Sequence, residues 1–126
     1  MQNKYASDSI EKYAKFWKKK FKKKKKKLQK RRKNLLKYSE ICSTTLIKEF
    51  HVEKVFLIGS LACKSKIHEK SDIDLVVEGL KSQNYFKALN RLFEIIPKKM
   101  NVDLITYENV SDQMKKIIDT QGVRLK

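Results

Sequence analysis

Three aspartates in this chain stand where carboxylates are hard to place. Asp72 and Asp74 are two residues apart and interleaved with Ile73, Leu75 and Val77, while Asp103 lies alone between Val102 and Leu104. Side chains two apart on a strand share a face. Asp72 and Asp74 therefore project together, and their apolar neighbours turn towards a core. Two carboxylates side by side repel one another unless a cation neutralises them. Hard oxygen ligands select Mg²⁺ or Mn²⁺, and Mg²⁺ keeps positions open for water and phosphate oxygens. Three acids from two adjacent strands could hold a pair of such ions about 3.5–4 Å apart, the separation used for in-line phosphoryl displacement.

Gly59-Ser60 supplies a complementary part. A glycine directly after a buried strand lets the backbone approach a phosphate closely, and Ser60 adds a hydroxyl donor. If Leu61 opens a helical turn, its N–H groups also face the anion. Taken singly, a Gly-Ser after a strand is most often a plain turn. An Asp-x-Asp is more often a solvated edge, and Asp103 alone reads as an exposed residue on a half-buried strand. Their order and spacing carry the reading.

These residues need strands to position them, and the periodicity supplies them. Val55–Ile58 is a short apolar run closed by Gly59, which reads as a buried strand. Ile73, Leu75 and Val77 alternate with Asp72, Asp74, Val76 and Glu78 until Gly79 ends a second strand. Asn101 to Thr106 is a third, with Val102, Leu104 and Thr106 on one face. Ser82 can cap a helix in which Tyr85, Phe86, Leu89, Leu92 and Phe93 fall at helical spacing, with Pro97 just beyond. A last helix from about Ser111 to Thr120 offers Met114, Ile117 and Ile118 as its buried face, and Gly122 ends it. The order predicts an α+β fold: a small three-stranded mixed sheet backed by helices, with a long basic helix ahead of it.

That first helix is predicted over residues 8–50, as one helix or as two with a break in its middle. No Gly or Pro occurs from Met1 to Ile58. Ala14, Phe21, Leu28, Leu35 and Cys42 recur every seven residues, with Trp17, Tyr38 and Leu46 beside them. Ser7 or Asp8 could cap its start. Uninterrupted lysine from Lys22 to Lys27 repels itself, so order is least secure there. Residues 1–50 are accordingly expected to be a helical extension, and residues 51–126 the catalytic domain.

The charge is divided as sharply as the pattern. Residues 12–39 hold 16 of the 31 Lys and Arg and no acid, leaving 15 basic residues against 14 acidic ones elsewhere. A nearly neutral domain thus carries a basic rod. No apolar run is long enough to span a bilayer, and the charged N-terminal stretch is not followed by the apolar segment of a signal peptide. Cys42 and Cys63 are far apart, in no metal-like spacing with His51 or His68, and read as reduced thiols. Together these features point to the cytoplasm and away from membranes.

Phe56-Leu57-Ile58-Gly59-Ser60-Leu61-Ala62, then Ser71-Asp72-Ile73-Asp74-Leu75-Val76-Val77, then Asn101-Val102-Asp103-Leu104-Ile105 resembles the minimal nucleotidyltransferases of the DNA polymerase β superfamily. Their pattern is a strand, Gly-Ser, a loop, Asp-x-Asp on a second strand and a lone Asp on a third. Ile117 to Leu125 is similar to the closing helix and apolar tail of these proteins. The resemblance covers roughly residues 50–125 and leaves out the lysine-rich helix. It implies that Gly59 and Ser60 hold the triphosphate of an incoming nucleotide, and that Asp72, Asp74 and Asp103 bind two Mg²⁺ ions (or Mn²⁺). Asp103 would also help to deprotonate the acceptor. The implied reaction is transfer of a nucleoside monophosphate, AMP from ATP, to a protein or RNA acceptor. Members commonly pair with a helical HEPN protein as antitoxin and toxin, and can place AMP on that partner. The chain departs from the family pattern after Ala62, where Cys63-Lys64-Ser65-Lys66 replaces the usual Arg-Gly and 11 residues separate Ser60 from Asp72. Lys64 or Lys66 as a substitute phosphate contact competes with plain solvated lysines.

Three readings compete for residues 12–39: a solvated helix, a nucleic-acid surface helped by Phe16, Trp17, Phe21 and Tyr38, and a helix for a protein partner or a second copy. At the level of the whole chain, a catalytic transferase competes with a weakly catalytic antitoxin that acts by docking. A third possibility is an RNA-binding module in which the domain only carries the basic helix.

Overall fold

The computed structural model describes residues 4–62 and 72–126, with side chains from Ile10 onward. The capping roles expected of Ser7 and Asp8, and the expectations for Cys63, Lys64, Lys66 and His68, lie outside the described side chains. Helix α1 (Lys4–Phe50) runs unbroken for 47 residues, about 70 Å at 1.5 Å per residue. The lysine run does not interrupt it. Lysine is a good helix former, and repulsion between exposed charges costs only tenths of a kcal/mol per pair. The helix ends without glycine: His51 takes a left-handed φ of 55°, and the Val52 N–H returns to the Leu46 carbonyl at 3.5 Å.

Strands β1 (Lys54–Ile58), β2 (Ile73–Glu78) and β3 (Val102–Thr106) form where the alternation predicts them. Helix α2 (Tyr85–Ile95) links β2 to β3, α3 (Asp112–Gln121) follows β3, and β4 (Val123–Arg124) closes the chain. The sheet order is β3-β2-β1-β4. β1 is antiparallel to β2 and β4, and β2 is parallel to β3, the crossover being made by α2. Four strands are therefore present where periodicity predicts three. β4 is two residues long, too short to show a period, and is held by backbone bonds such as Leu125 N–H to the Val55 carbonyl at 2.8 Å.

The pleat sorts the sheet into two faces. Val55 and Leu57, Ile73, Leu75 and Val77, and Val102 and Leu104 pack against Leu35, Cys42 and Leu46 of α1 and Ala88 and Leu92 of α2. On the opposite face Ile58 and Val76 pack under Ile118 of α3, with Phe56, Ile105 and Met114 at the margin. Ser39 and Ser43 are fully buried where α1 meets the core, and each hydroxyl donates to the carbonyl four residues back, at 2.7 and 2.8 Å. Arg91 of α2 donates to Glu49 of α1 at 3.1 Å and so ties the two helices at the surface.

Three apolar residues predicted to be buried are exposed: Phe86 at 73 %, Phe93 at 46 % and Ile117 at 41 %. Phe86 and Phe93 lie roughly 120–140° round the helix from the stripe of Ala88 and Leu92 that faces the sheet. Helical spacing alone counts them with it. Ser82 does not cap α2 either, because it opens a 3-10 turn, Ser82–Asn84, and Asn84 occupies the cap position. Ser111 does cap α3, accepting from the Met114 N–H at 3.2 Å.

Candidate functional site

The site lies at the edge of the sheet where β1 ends and β2 and β3 begin. In the register Ile58 pairs with Asp74, and Asp74 with Asp103. Asp72 sits one residue before β2, on the same side of the pleat as Asp74. All three carboxylates therefore belong to the face that α3 covers. They project beyond the patch of Val76, Ile58 and Ile118 that fills that face. Opposite parity sends Ile73, Leu75, Val102 and Leu104 into the α1–α2 core. That burial holds the strands in the register that aligns the acids.

Asp74 is the centre of the group. Its carboxyl is raised from an ordinary 3.8 to about 6, first by desolvation, then by the charge of Asp103 and a side-chain hydrogen bond with it, and last by the charge of Asp72. Asp72 and Asp74 are half-buried, and Asp103 is exposed.

Gly59 follows β1 directly with a φ of +79°, and a Cβ built on it would meet Asp74 Oδ2 at 2.5 Å. Any side chain here would strike the carboxylate, so glycine is what admits Asp74 to the end of β1. Ser60, Leu61 and Ala62 continue as a turn closed by the Ala62 N–H to the Gly59 carbonyl at 3.2 Å. Leu61 is fully buried and anchors that turn in the main core. The structure thus brings together all five residues singled out in the sequence: Gly59, Ser60, Asp72, Asp74 and Asp103.

Among the described residues, no group of three His, Cys, Asp or Glu side chains closes on one point as a preformed metal cage. The donor chemistry nonetheless fits a hard cation. A shared hydrogen bond between two carboxyls requires a proton between them, and a cation can occupy that place. Mg²⁺ is bound through one or two carboxylates with waters and phosphate oxygens completing the shell, and needs no all-protein cage.

Sequence patterning did not point to an open groove of about 750 Å³ at the other end of β3, lined by residues including Leu80, Tyr85, Phe86, Leu104, Asn109 and Val110. Its walls come from separate segments, so only the packing assembles it. The Tyr85 hydroxyl donates to the Leu104 carbonyl there at 2.6 Å. Cys42 is buried and its thiol is pushed up to about 11, which leaves it unreactive. Among the described residues no helix is long and apolar enough to cross a membrane.

Residues 40–126 match the family model described as polymerase beta, nucleotidyltransferase. No curated protein matches. Among solved structures, the chain is similar to one in a toxin–antitoxin complex with AMP-PNP, at 23% identity over 69% of this chain and 72% of that one, with a TM-score of 0.56. It is also similar to a chain of the MntA–HepT toxin–antitoxin pair, at 20% identity over 70% and 69% of the two chains and a TM-score of 0.51. A mutant form of such a pair gives 21% identity over 69% and 71%, with a TM-score of 0.55. At these identities the likeness is one of fold.

Proposed function

The chain belongs to the polymerase β-type nucleotidyltransferase family, and from that premise we propose that it is a Mg²⁺-dependent transferase that moves AMP from ATP to a protein or RNA acceptor. The observation that carries this reading is Asp74, held against Gly59 and crowded by Asp103 and Asp72. Crowding of that kind is unfavourable in the protein alone and becomes favourable with a cation and a polyphosphate in place.

Asp72, Asp74 and Asp103 would hold the ions, either Mg²⁺ or Mn²⁺. When bound, such ions neutralise the charge that develops on the phosphate oxygens. The chain's own residues do the positioning. The Gly59-Ser60 turn, whose glycine carries no side chain of its own, would bring backbone and hydroxyl to the triphosphate. Asp103, the most exposed of the three acids, accepts the proton of the acceptor hydroxyl as that oxygen attacks the α-phosphorus. The bond to the β-phosphate oxygen breaks and pyrophosphate leaves. Positioning and charge neutralisation supply most of the rate in such a reaction.

The acceptor we favour is a helical protein partner of the HEPN type, the chain acting as the antitoxin. Support comes from the similar chains crystallised in toxin–antitoxin complexes, one of them with AMP-PNP. The test is incubation with α-labelled ATP, Mg²⁺ and the co-purified partner, followed by mass spectrometry for added AMP. Labelling is expected for the native chain and not for Asp72→Ala or Asp74→Asn. Full labelling by both variants would sink the proposal.

A second reading takes its support from the similar chains that sit in toxin–antitoxin complexes. In it the domain neutralises its partner by docking, with little catalysis. Neutralisation would then survive both substitutions.

A further inference from the structure

From Ile10 to Asn34 every side chain of α1 is exposed or only partly covered, and the first buried one is Leu35. Lys12 to Lys33 contains 15 Lys and Arg and no acid. At 1.5 Å per residue that is one positive charge per about 2.2 Å of axis. A nucleic-acid strand carries one negative charge per about 3.4 Å, and a duplex one per about 1.7 Å. The charge density of the rod therefore lies between that of a strand and that of a duplex.

The rod also carries rings. Tyr13, Phe16 and Phe21 are 62 %, 57 % and 65 % exposed. They surround Trp17 with centroid separations of 5.7, 6.0 and 5.9 Å. Lys20 Nζ lies 5.1 Å from the Trp17 ring and 5.9 Å from that of Phe16. The Trp17 indole N–H and the Arg32 Nε–H find no acceptor among the described residues. A merely solubilising helix has no use for three exposed rings. A second copy of the rod would meet it with charge of the same sign. A duplex would engage the lysines but offers no unstacked base to the rings.

We propose that residues 12–33 of α1 form a docking surface for single-stranded nucleic acid, its phosphates held by the lysines and its bases stacked on Tyr13, Phe16 and Phe21. This goes beyond the transferase reading and holds whether or not the aspartates catalyse. Phosphates laid along Lys22 to Lys27 also relieve the repulsion within the run, so binding and helix order reinforce each other.

The test is fluorescence anisotropy of a labelled 20-nucleotide single-stranded RNA with the full chain, over a KCl series. For about six phosphate contacts, log K should fall against log salt with a slope of about −4. Substituting Lys22→Gln, Lys24→Gln and Lys26→Gln together should make that slope shallower by about 2. Tyr13→Ala, Phe16→Ala and Phe21→Ala together should weaken binding at least tenfold at an unchanged slope, by about that factor for each base unstacked. The ring-keeping set Tyr13→Phe, Phe16→Tyr and Phe21→Tyr should bind as the native chain does, which separates stacking from damage to the helix. Asp74→Asn should bind equally well, so failure of the transferase reading would be seen separately. A flat salt dependence, unweakened binding by the alanine set, or tighter binding to a duplex or to polyglutamate of equal charge would overturn the proposal.

Discussion

Burial and two neighbouring carboxylates lift Asp74 from 3.8 to about 6. A carboxyl raised on folding keeps its proton longer in the folded state. Its stabilising contribution is complete below the unfolded value of about 3.9, and it is lost as pH rises through about 6. In EDTA, the melting temperature of the native chain should therefore fall between pH 4 and pH 7 more steeply than that of Asp74→Asn. At pH 7.5 the variant should be the more stable by about 1 kcal/mol, a figure discounted for a carboxylate that is half exposed. Thermal melts followed by circular dichroism check both, and labelling from ATP should be lost in the same variant. Gly59→Ala should be destabilising by about 1–2 kcal/mol through the left-handed φ alone. Its methyl would also displace the Asp74 carboxylate, so labelling should fall more than stability does. The three aspartates were legible because period-two alternation with apolar flanks gives a carboxylate a direction. The contact between Gly59 and Asp74 was not. It depends on Ile58 pairing with Asp74 across an antiparallel register, and pairing is not written in either strand alone.

Helix α1 shows what periodicity encodes and what it omits. Phe21, Leu28, Leu35 and Cys42 share one seven-residue stripe, yet of these Leu35 and Cys42 are fully buried and Phe21 is 65 % exposed. The repeat sets a face, and only the sheet decides how far along the helix that face is covered. Leu35→Ala and Leu46→Ala should each cost about 2–4 kcal/mol in urea unfolding. Phe21→Ala, on the same stripe, should stay within about 0.5 kcal/mol. Equal losses would mean that the covered part of the helix starts before Leu35. The β1, β2 and β3 strands were legible from alternation closed by glycine. β4 was not, because two residues paired to Phe56 and Leu57 carry no pattern of their own.

At the scale of the molecule, the chain divides by charge and by cover. The family match starts at residue 40, inside α1, so a single helix belongs at one end to the folded core and at the other to solvent. The strands β1 to β3, the helices and the shared side of Asp72 and Asp74 could be anticipated because each rests on local pattern. The packing of α3 on the sheet face that carries the acids and the groove beside Tyr85 could not, since both arise from packing between distant segments. The uncovered end of α1 has a further consequence, for the lifetime of the chain. Backbone hydrogen bonds without tertiary cover open at little free energy, and here nearly every peptide bond follows or neighbours a lysine or arginine. Limited trypsin digestion should therefore remove the segment before Asn34 first and leave a fragment close to residues 34–126, read by mass spectrometry. Whatever binds the rod should slow that cleavage. In a cell, degradation of the chain would then report whether the rod is occupied, with uncovered copies cut first and covered copies persisting.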